Sequence, residues 1–191
     1  MRQNPERRAA LLDAAIEVLA REGSRGLTFR AVDAEAGVPN GTASNYFASR
    51  DDLINQVGGR VYERLRPSDE QFAEAQAGPA DRAKLAALMR ELVQRMSAFP
   101  SGYLALVELR LEAIRRPQLR SVLTGMIRSD LDGNIAFHRA AGHPGDATTV
   151  RLLYLALNWL ILERLTLPGV FSDKETETLI AEAVDRLAAA G

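Results

Sequence analysis

Two carboxamides, Asn40 and Asn45, sit within the stretch Pro39-Asn40-Gly41-Thr42-Ala43-Ser44-Asn45-Tyr46-Phe47. Each presents a donor and an acceptor on one planar group, the geometry that matches N6 and N7 of adenine in the major groove of DNA. Thr42 can place its methyl against a thymine methyl. Pro39, Asn40, Gly41 and Thr42 would enter the groove first, with Ser44 and Asn45 one turn further on. Gly41 lets the backbone come close to the duplex. Tyr46 is better placed to donate its hydroxyl to a phosphate than to read a base. Upstream, Thr28 can give its hydroxyl to a phosphate from the start of a helix whose first N–H groups also favour anions. Taken singly, each of these residues reads as solvated polar surface around a small core. Their joint occurrence in one motif points to nucleic acid.

The elements that must position them are legible nearby. Thr28 is an N-cap for a helix over 29–36. Gly37 ends that helix, since glycine takes a left-handed backbone without steric cost, and Val38 supplies an apolar plug for the corner. Pro39 suits the first position of a second helix, where no N–H is needed; this helix is expected over 40–47. Ser49, with Asp52 three residues later, forms a capping box for a third, over 51–65. Two short helices joined by a glycine turn form a helix-turn-helix.

Thr28, Ala36-Gly37-Val38, Gly41-Thr42, Tyr46-Phe47 and Ser49-Arg50-Asp51-Asp52-Leu53 together resemble the TetR family of bacterial transcriptional repressors. The segment RRAALLDAAIEVLAREGSRGLT matches the family's first helix and its exit, so the motif similarity covers roughly 7–65. Two departures are visible. Asp33 stands where the family carries a small residue, and a carboxylate there must reach solvent or find a donor. Ala43 and Ser44 stand where an apolar residue and a tyrosine are usual. The resemblance implies an all-α fold with a helix-turn-helix DNA-binding domain over 1–50, a connecting helix over 51–65, and a helical ligand-binding and dimerisation domain over 66–191. It implies that Arg50 is a basic phosphate clamp, with Arg30 a weaker candidate for phosphate or base. It also implies a homodimer on double-stranded DNA, placing two reading helices about 34–36 Å apart, or a multiple, on a palindromic operator.

Bulk composition is compatible with this. A chain of 191 residues suffices for one sizeable core, or a small head on a larger body. Charged residues at 26% and hydrophobic ones at 47% are ordinary for a globular protein. There are no cysteines, which excludes disulfide and thiolate chemistry and makes a reducing cytoplasm the natural compartment. The N-terminal MRQNPERRAALLDAA has no continuous apolar run of the signal-peptide kind. Net charge is −1, and residues 1–50 hold seven Arg against six Asp or Glu. Nonspecific affinity for DNA should therefore be modest and salt-sensitive.

Nine helices and no strand are expected. The first covers 5–21, with Leu11, Ala15, Val18 and Leu19 on one face. The stretch 66–80, rich in Pro, Gly, Gln and Glu, reads as a loop or frayed helical segment. Helices then follow over 81–98, 103–116, 117–141, 150–167 and 173–189, with Pro100 and Gly102 breaking the first pair. The segment VRLLYLALNWLILERLTL is apolar nearly all round, yet its uninterrupted core is far short of the roughly 20 residues a membrane span needs. A helix of this kind in a globular protein is buried on more than one side. The family pairs its last two helices with their symmetry mates in a four-helix bundle, so a second copy is the expected cover.

The same resemblance implies that the helices from 81 to 167 enclose a pocket for a largely apolar small-molecule effector. Met89, Met96, Phe99, Tyr103, Met126, Phe137, Tyr154 and Trp159 are its candidate lining, being soft or aromatic, although each taken singly reads more readily as plain core. Asn158 is polar in an apolar helix and suits either dimer register or a ligand hydrogen bond. His138 and His143 are the only histidines. With no cysteine and no His-x-x-x-His pair, no metal and no cofactor is expected. No nucleophile elbow, phosphate-binding glycine loop or matched carboxylate pair is present, so no enzyme is expected. Two other readings stay open: a helical dimer that binds ligand but has lost DNA affinity, and a DNA-binding dimer controlled by a protein partner.

Overall fold

A computed structural model describes residues 4–188, and every regular element among them is an α-helix. The order is α1 (Pro5–Gly26), α2 (Phe29–Glu35), α3 (Thr42–Tyr46), α4 (Arg50–Leu65), α5 (Asp69–Gln76), α6 (Arg82–Ser97), α7 (Pro100–Ala113), α8 (Pro117–Ala141), α9 (Ala147–Thr166) and α10 (Asp173–Leu187). The expected end of the last helix at Ala189 lies outside the described residues.

The all-α expectation holds, with ten helices among the described residues rather than nine. The addition is α5. Ser68 Oγ accepts from Gln71 N at 3.2 Å while Gln71 Oε1 accepts from Ser68 N at 2.9 Å, a reciprocal capping box that the loop-like composition of 66–80 obscured. Pro100 does not break a helix but opens α7 at its first position, where its missing N–H is no loss. Gly102 lies inside that helix, where a Cβ would strike the Phe99 ring at 2.1 Å. Asp146 caps α9 three residues earlier than expected, accepting from Thr148 N and Thr149 N.

By backbone contact the chain divides into two compact units: one comprises the chain to Arg66 with Phe99–Met126, the other Pro67–Ala98 with the chain from Ile127. In the first, α1 is central and packs on α2, α4 and α7. Leu11, Ala15, Ile16, Val18 and Leu19 of α1 are fully buried with Leu27, Val32, Leu53, Val57, Val61 and Leu109. A Cβ at Gly58 would come within 3.3 Å of Leu123 and 3.7 Å of Leu109, so this mid-helix glycine allows a close approach that offsets its poor propensity.

In the second unit α6, α9 and α10 pack on one another. Leu85 and Ala86 meet Leu153, Val184 and Ala188, with Met89, Ala183 and Leu187 against them. The all-round apolar character of α9 splits into two faces. Leu153, Leu157, Leu160 and Ile161 are buried, whereas Leu152, Leu155 and Trp159 are 43%, 62% and 65% exposed. Leu179 of α10 is 40% exposed.

Candidate nucleic-acid interface

The turn between α2 and α3 begins with a pair of backbone hydrogen bonds. Val38 N donates to Asp33 O at 3.0 Å and Gly37 N to Ala34 O at 3.2 Å, the pair that closes a helix by the Schellman pattern. It requires a left-handed residue after the cap, supplied by Gly37 at φ 63°. Thr28 opens α2 as expected, its Oγ1 accepting from Ala31 N at 3.1 Å. That leaves its hydroxyl hydrogen to give elsewhere.

The reading helix is shorter than expected. Asn40 and Gly41 form a turn in which Thr42 N donates to Pro39 O at 3.1 Å, and Gly41 has φ 91° and ψ −3°, the third-residue geometry of a type II turn. Pro39 therefore precedes the helix instead of opening it. At the other end Phe47 is extended at φ −123°, so α3 is the five residues Thr42–Tyr46.

One face of this segment is anchored, with Ala43 and Phe47 buried. The opposite face is open: Pro39, Asn40, Gly41, Ser44 and Asn45 are exposed, with Thr42 and Tyr46 half-buried. Thr28 and Arg30 are exposed on α2. The hydroxyls of Thr42 and Ser44 donate to Pro39 O at 2.6 Å and Gly41 O at 2.8 Å, so both turn oxygen lone pairs outward and suit donors on a partner.

Arg50 stands at the first position of α4, but its guanidinium is engaged inward. Nε donates to Leu27 O at 2.8 Å and Nη2 to Ser24, through both its carbonyl and its Oγ at 3.1 Å. It braces the α1–α2 connection and is not extended toward solvent as a phosphate clamp. The capping box expected at Ser49 is present in modified form. Ser49 Oγ accepts from Asp52 N at 3.0 Å, and Asp52 Oδ2 accepts from Ala48 N, one residue earlier than the usual return bond.

Two residues that sequence reasoning did not assign to the site hold α3 at its ends. Asp33 is 1% exposed, and its two carboxylate oxygens accept from Gly41 N and Ala43 N, each at 2.7 Å. It has found its donors in the helix beside it. Arg8 of α1 donates through Nη1 to Tyr46 O at 3.0 Å, through Nε and Nη2 to Gln56 Oε1, and lies over the Phe47 ring at 5.0 Å. A carboxylate four residues before a turn glycine was the visible signal for the first; nothing in the sequence marked the second.

The effector candidates fall in both units. Phe99, Tyr103 and Met126 belong to the first unit, and Met89, Met96, Phe137, Tyr154 and Trp159 to the second. Trp159 is mostly exposed and lines no interior among the described residues. Tyr103 is buried and the other six are half-buried. An open groove of about 480 Å³ in the first unit is lined instead by Asp51, Glu112, Arg115, Arg116, Pro117 and Gln118. Its arginines are already paired, Arg116 with Asp51 and Glu112 and Arg115 with Glu112. Asn158 donates to Tyr154 O of its own helix at 2.7 Å. No described helix is long and apolar enough to cross a membrane, and no group of three or more metal-ligating side chains occurs among the described residues.

Comparison with known proteins gives the chain a family. The family model described as "Bacterial regulatory proteins, tetR family" matches residues 11–57, and "Tetracyclin repressor-like, C-terminal domain" matches 80–190. The chain belongs to the TetR family of bacterial regulatory proteins. It is 34% identical over 93 residues to an HTH-type transcriptional regulator in the dhlA 5′ region of Xanthobacter autotrophicus, covering 49% of this chain and 46% of that one. It is 29% identical over 119 residues to the HTH-type transcriptional regulator BetI of Rhizobium meliloti, covering 62% and 58%. The chain thus spans about half the length of the curated relatives it matches. Among solved structures, a TetR family member from Streptomyces coelicolor A3 superposes with a TM-score of 0.68 at 31% identity, covering 96% of this chain and 99% of that one. The multidrug binding protein EbrR complexed with ethidium does so at 0.66 and 30%, covering 97% and 99%.

Proposed function

We propose that this protein is a dimeric, ligand-responsive repressor that reads a palindromic operator with α3 and releases it when a small molecule occupies the C-terminal part of the chain. Residues 1–50 form the DNA-binding domain, α4 connects, and 66–191 bind ligand and dimerise. The observation that carries this reading is the two-sided character of 39–47. Ala43 and Phe47 are buried beneath, while Asn40, Ser44 and Asn45 stand exposed above. Asn40 and Asn45 read base edges with Thr42 and Ser44, Gly41 and Pro39 permit close approach, and Thr28, Arg30 and Tyr46 meet phosphates. Arg50 supports the interface from behind.

The exposed stripe Leu152, Leu155 and Trp159 of α9, with Leu179 of α10, is the surface through which two copies join. A monomer leaving that much aromatic and aliphatic area in water gains by covering it. The effector is a largely apolar small molecule; the similar EbrR binds ethidium, which joins a broad aromatic surface to a positive charge. To release DNA it must bind the non-reading spacing of the two heads more tightly, since equal affinity for both states shifts nothing.

Selection from a randomised duplex pool tests this directly. The expected product is an enriched palindrome whose half-site centres lie one helical turn, or a multiple, apart. Enrichment of no sequence would leave a helical ligand-binding protein without operator affinity.

A further inference from the structure

We propose that Asp33 is a positioning residue for sequence reading, its buried carboxylate setting the angle at which α3 meets the duplex; this rests on the DNA-binding reading above. A five-residue helix cannot hold its shape in water, because nucleation costs more than so few bonds return. Gly41, its N-cap, offers no side chain to satisfy the first N–H groups. Asp33 takes over that task from the preceding helix, and both bonds have the 2.7 Å length of charge-assisted contacts.

The same residue's carbonyl receives Val38 N, which closes α2. One residue therefore holds the end of α2 with its main chain and the start of α3 with its side chain. Rotating α3 against α2 breaks at least one of three bonds. At the far end Arg8 holds Tyr46 O. An anion lies at the N-terminus of α3 and a cation at its C-terminus, the signs that the helix dipole favours.

The small residue usual at this place in the motif permits close packing but supplies no directional bond. Asp33 replaces packing with direction. Because it engages Gly41 N and Ala43 N, those amides are withdrawn from phosphates, and α3 meets DNA through side chains. Base-edge contacts depend on orientation far more than phosphate contacts do, since only they carry sequence information.

The test compares wild type, Asp33→Asn and Asp33→Ala on the selected operator and on a nonspecific duplex, well below each variant's melting temperature. Asn keeps one acceptor oxygen and Ala none. For Asp33→Asn, operator affinity should fall roughly tenfold, the factor that one charge-assisted hydrogen bond corresponds to. Nonspecific affinity and its salt slope should stay within about twofold. Asp33→Ala should lose more of the discrimination. Amide exchange at Gly41 and Ala43 should accelerate in both variants. A folded Asp33→Asn chain with wild-type discrimination, or an equal loss on both duplexes, overturns the proposal. A wild-type chain that distinguishes no duplexes removes the DNA reading itself, an outcome visible before any substitution is made.

Discussion

Arg60 and Asp13 are joined by two parallel hydrogen bonds, Nε to Oδ1 at 2.9 Å and Nη2 to Oδ2 at 2.8 Å, which tie α4 to α1. Arg64 adds a third contact to Oδ1 at 3.3 Å, and the hydrogen bond to Asp13 is the main reason the Arg60 guanidinium holds its proton more tightly than usual. The pair is partly exposed, so its contribution is modest, about 1 kcal/mol. Arg60→Met should lower the melting temperature by a few degrees. Arg60→Lys should recover little of it, because a single ammonium cannot reproduce the fork. Calorimetry on the three proteins checks this.

Arg50→Ala should destabilise the chain by about 1–3 kcal/mol, since it strips partners from the carbonyls of Ser24 and Leu27, two buried residues. Operator and nonspecific duplexes should lose affinity together. Selective loss on the operator would mean that Arg50 touches bases.

Asn40→Ala should leave the melting temperature unchanged, because Asn40 is exposed. It should instead relax the base preference at one position of each half-site, by about 1–3 kcal/mol of discrimination. A repeated duplex selection reads this out.

If two copies join as proposed, Trp159→Glu or Leu155→Glu should yield monomers at concentrations where the wild type is expected to sediment as a dimer, with operator affinity lost in parallel. A charge in the centre of an apolar joint is costly to bury. Persistence of the dimer would move the joint to another surface.

Acid should weaken the second unit. His138 and His143 are 5% and 7% exposed, with ring centroids 5.6 Å apart and Phe137 6.0 Å from His143. Burial pushes both pKa values below 6.5. His143 is lowered further by His138 and Lys84, while Asp81 raises it, as the carbonyls of Pro144 and Gly145 and the carboxylate of Asp146 raise His138. The unfolded chain therefore binds protons that the folded chain refuses, and stability falls as pH drops below 6.5. Glu112, held at about 2 by Arg115 and then Arg116, begins to lose its contribution only below 4.5. A melting-temperature profile between about pH 7.5 and 5 thus isolates the histidines, and His143→Phe should flatten it.

Much of the head could be read from residue types. Thr28, Gly37 and Ser49 act as their chemistry demands, because caps and left-handed turns are decided locally. The length of α3 was not legible, since proline at a helix start and proline before a type II turn look alike until Gly41's neighbours are known. The inward engagement of Arg50 was equally hidden, as it depends on carbonyls more than twenty residues away in sequence. The expected cover on α9 was deduced from an all-round apolar pattern, and Leu152, Leu155 and Trp159 are the residues left open. Which candidates line an effector cavity needs side-chain contacts that no spacing rule supplies.

The groups that brace α3, Asp33 and Arg8, lie on other helices, whereas Asn40, Ser44 and Asn45 project from its outer surface. On the proposed reading, aim and vocabulary are thereby separated. Operator preference should be exchangeable by rewriting three or so outward side chains, with the scaffold left as it stands.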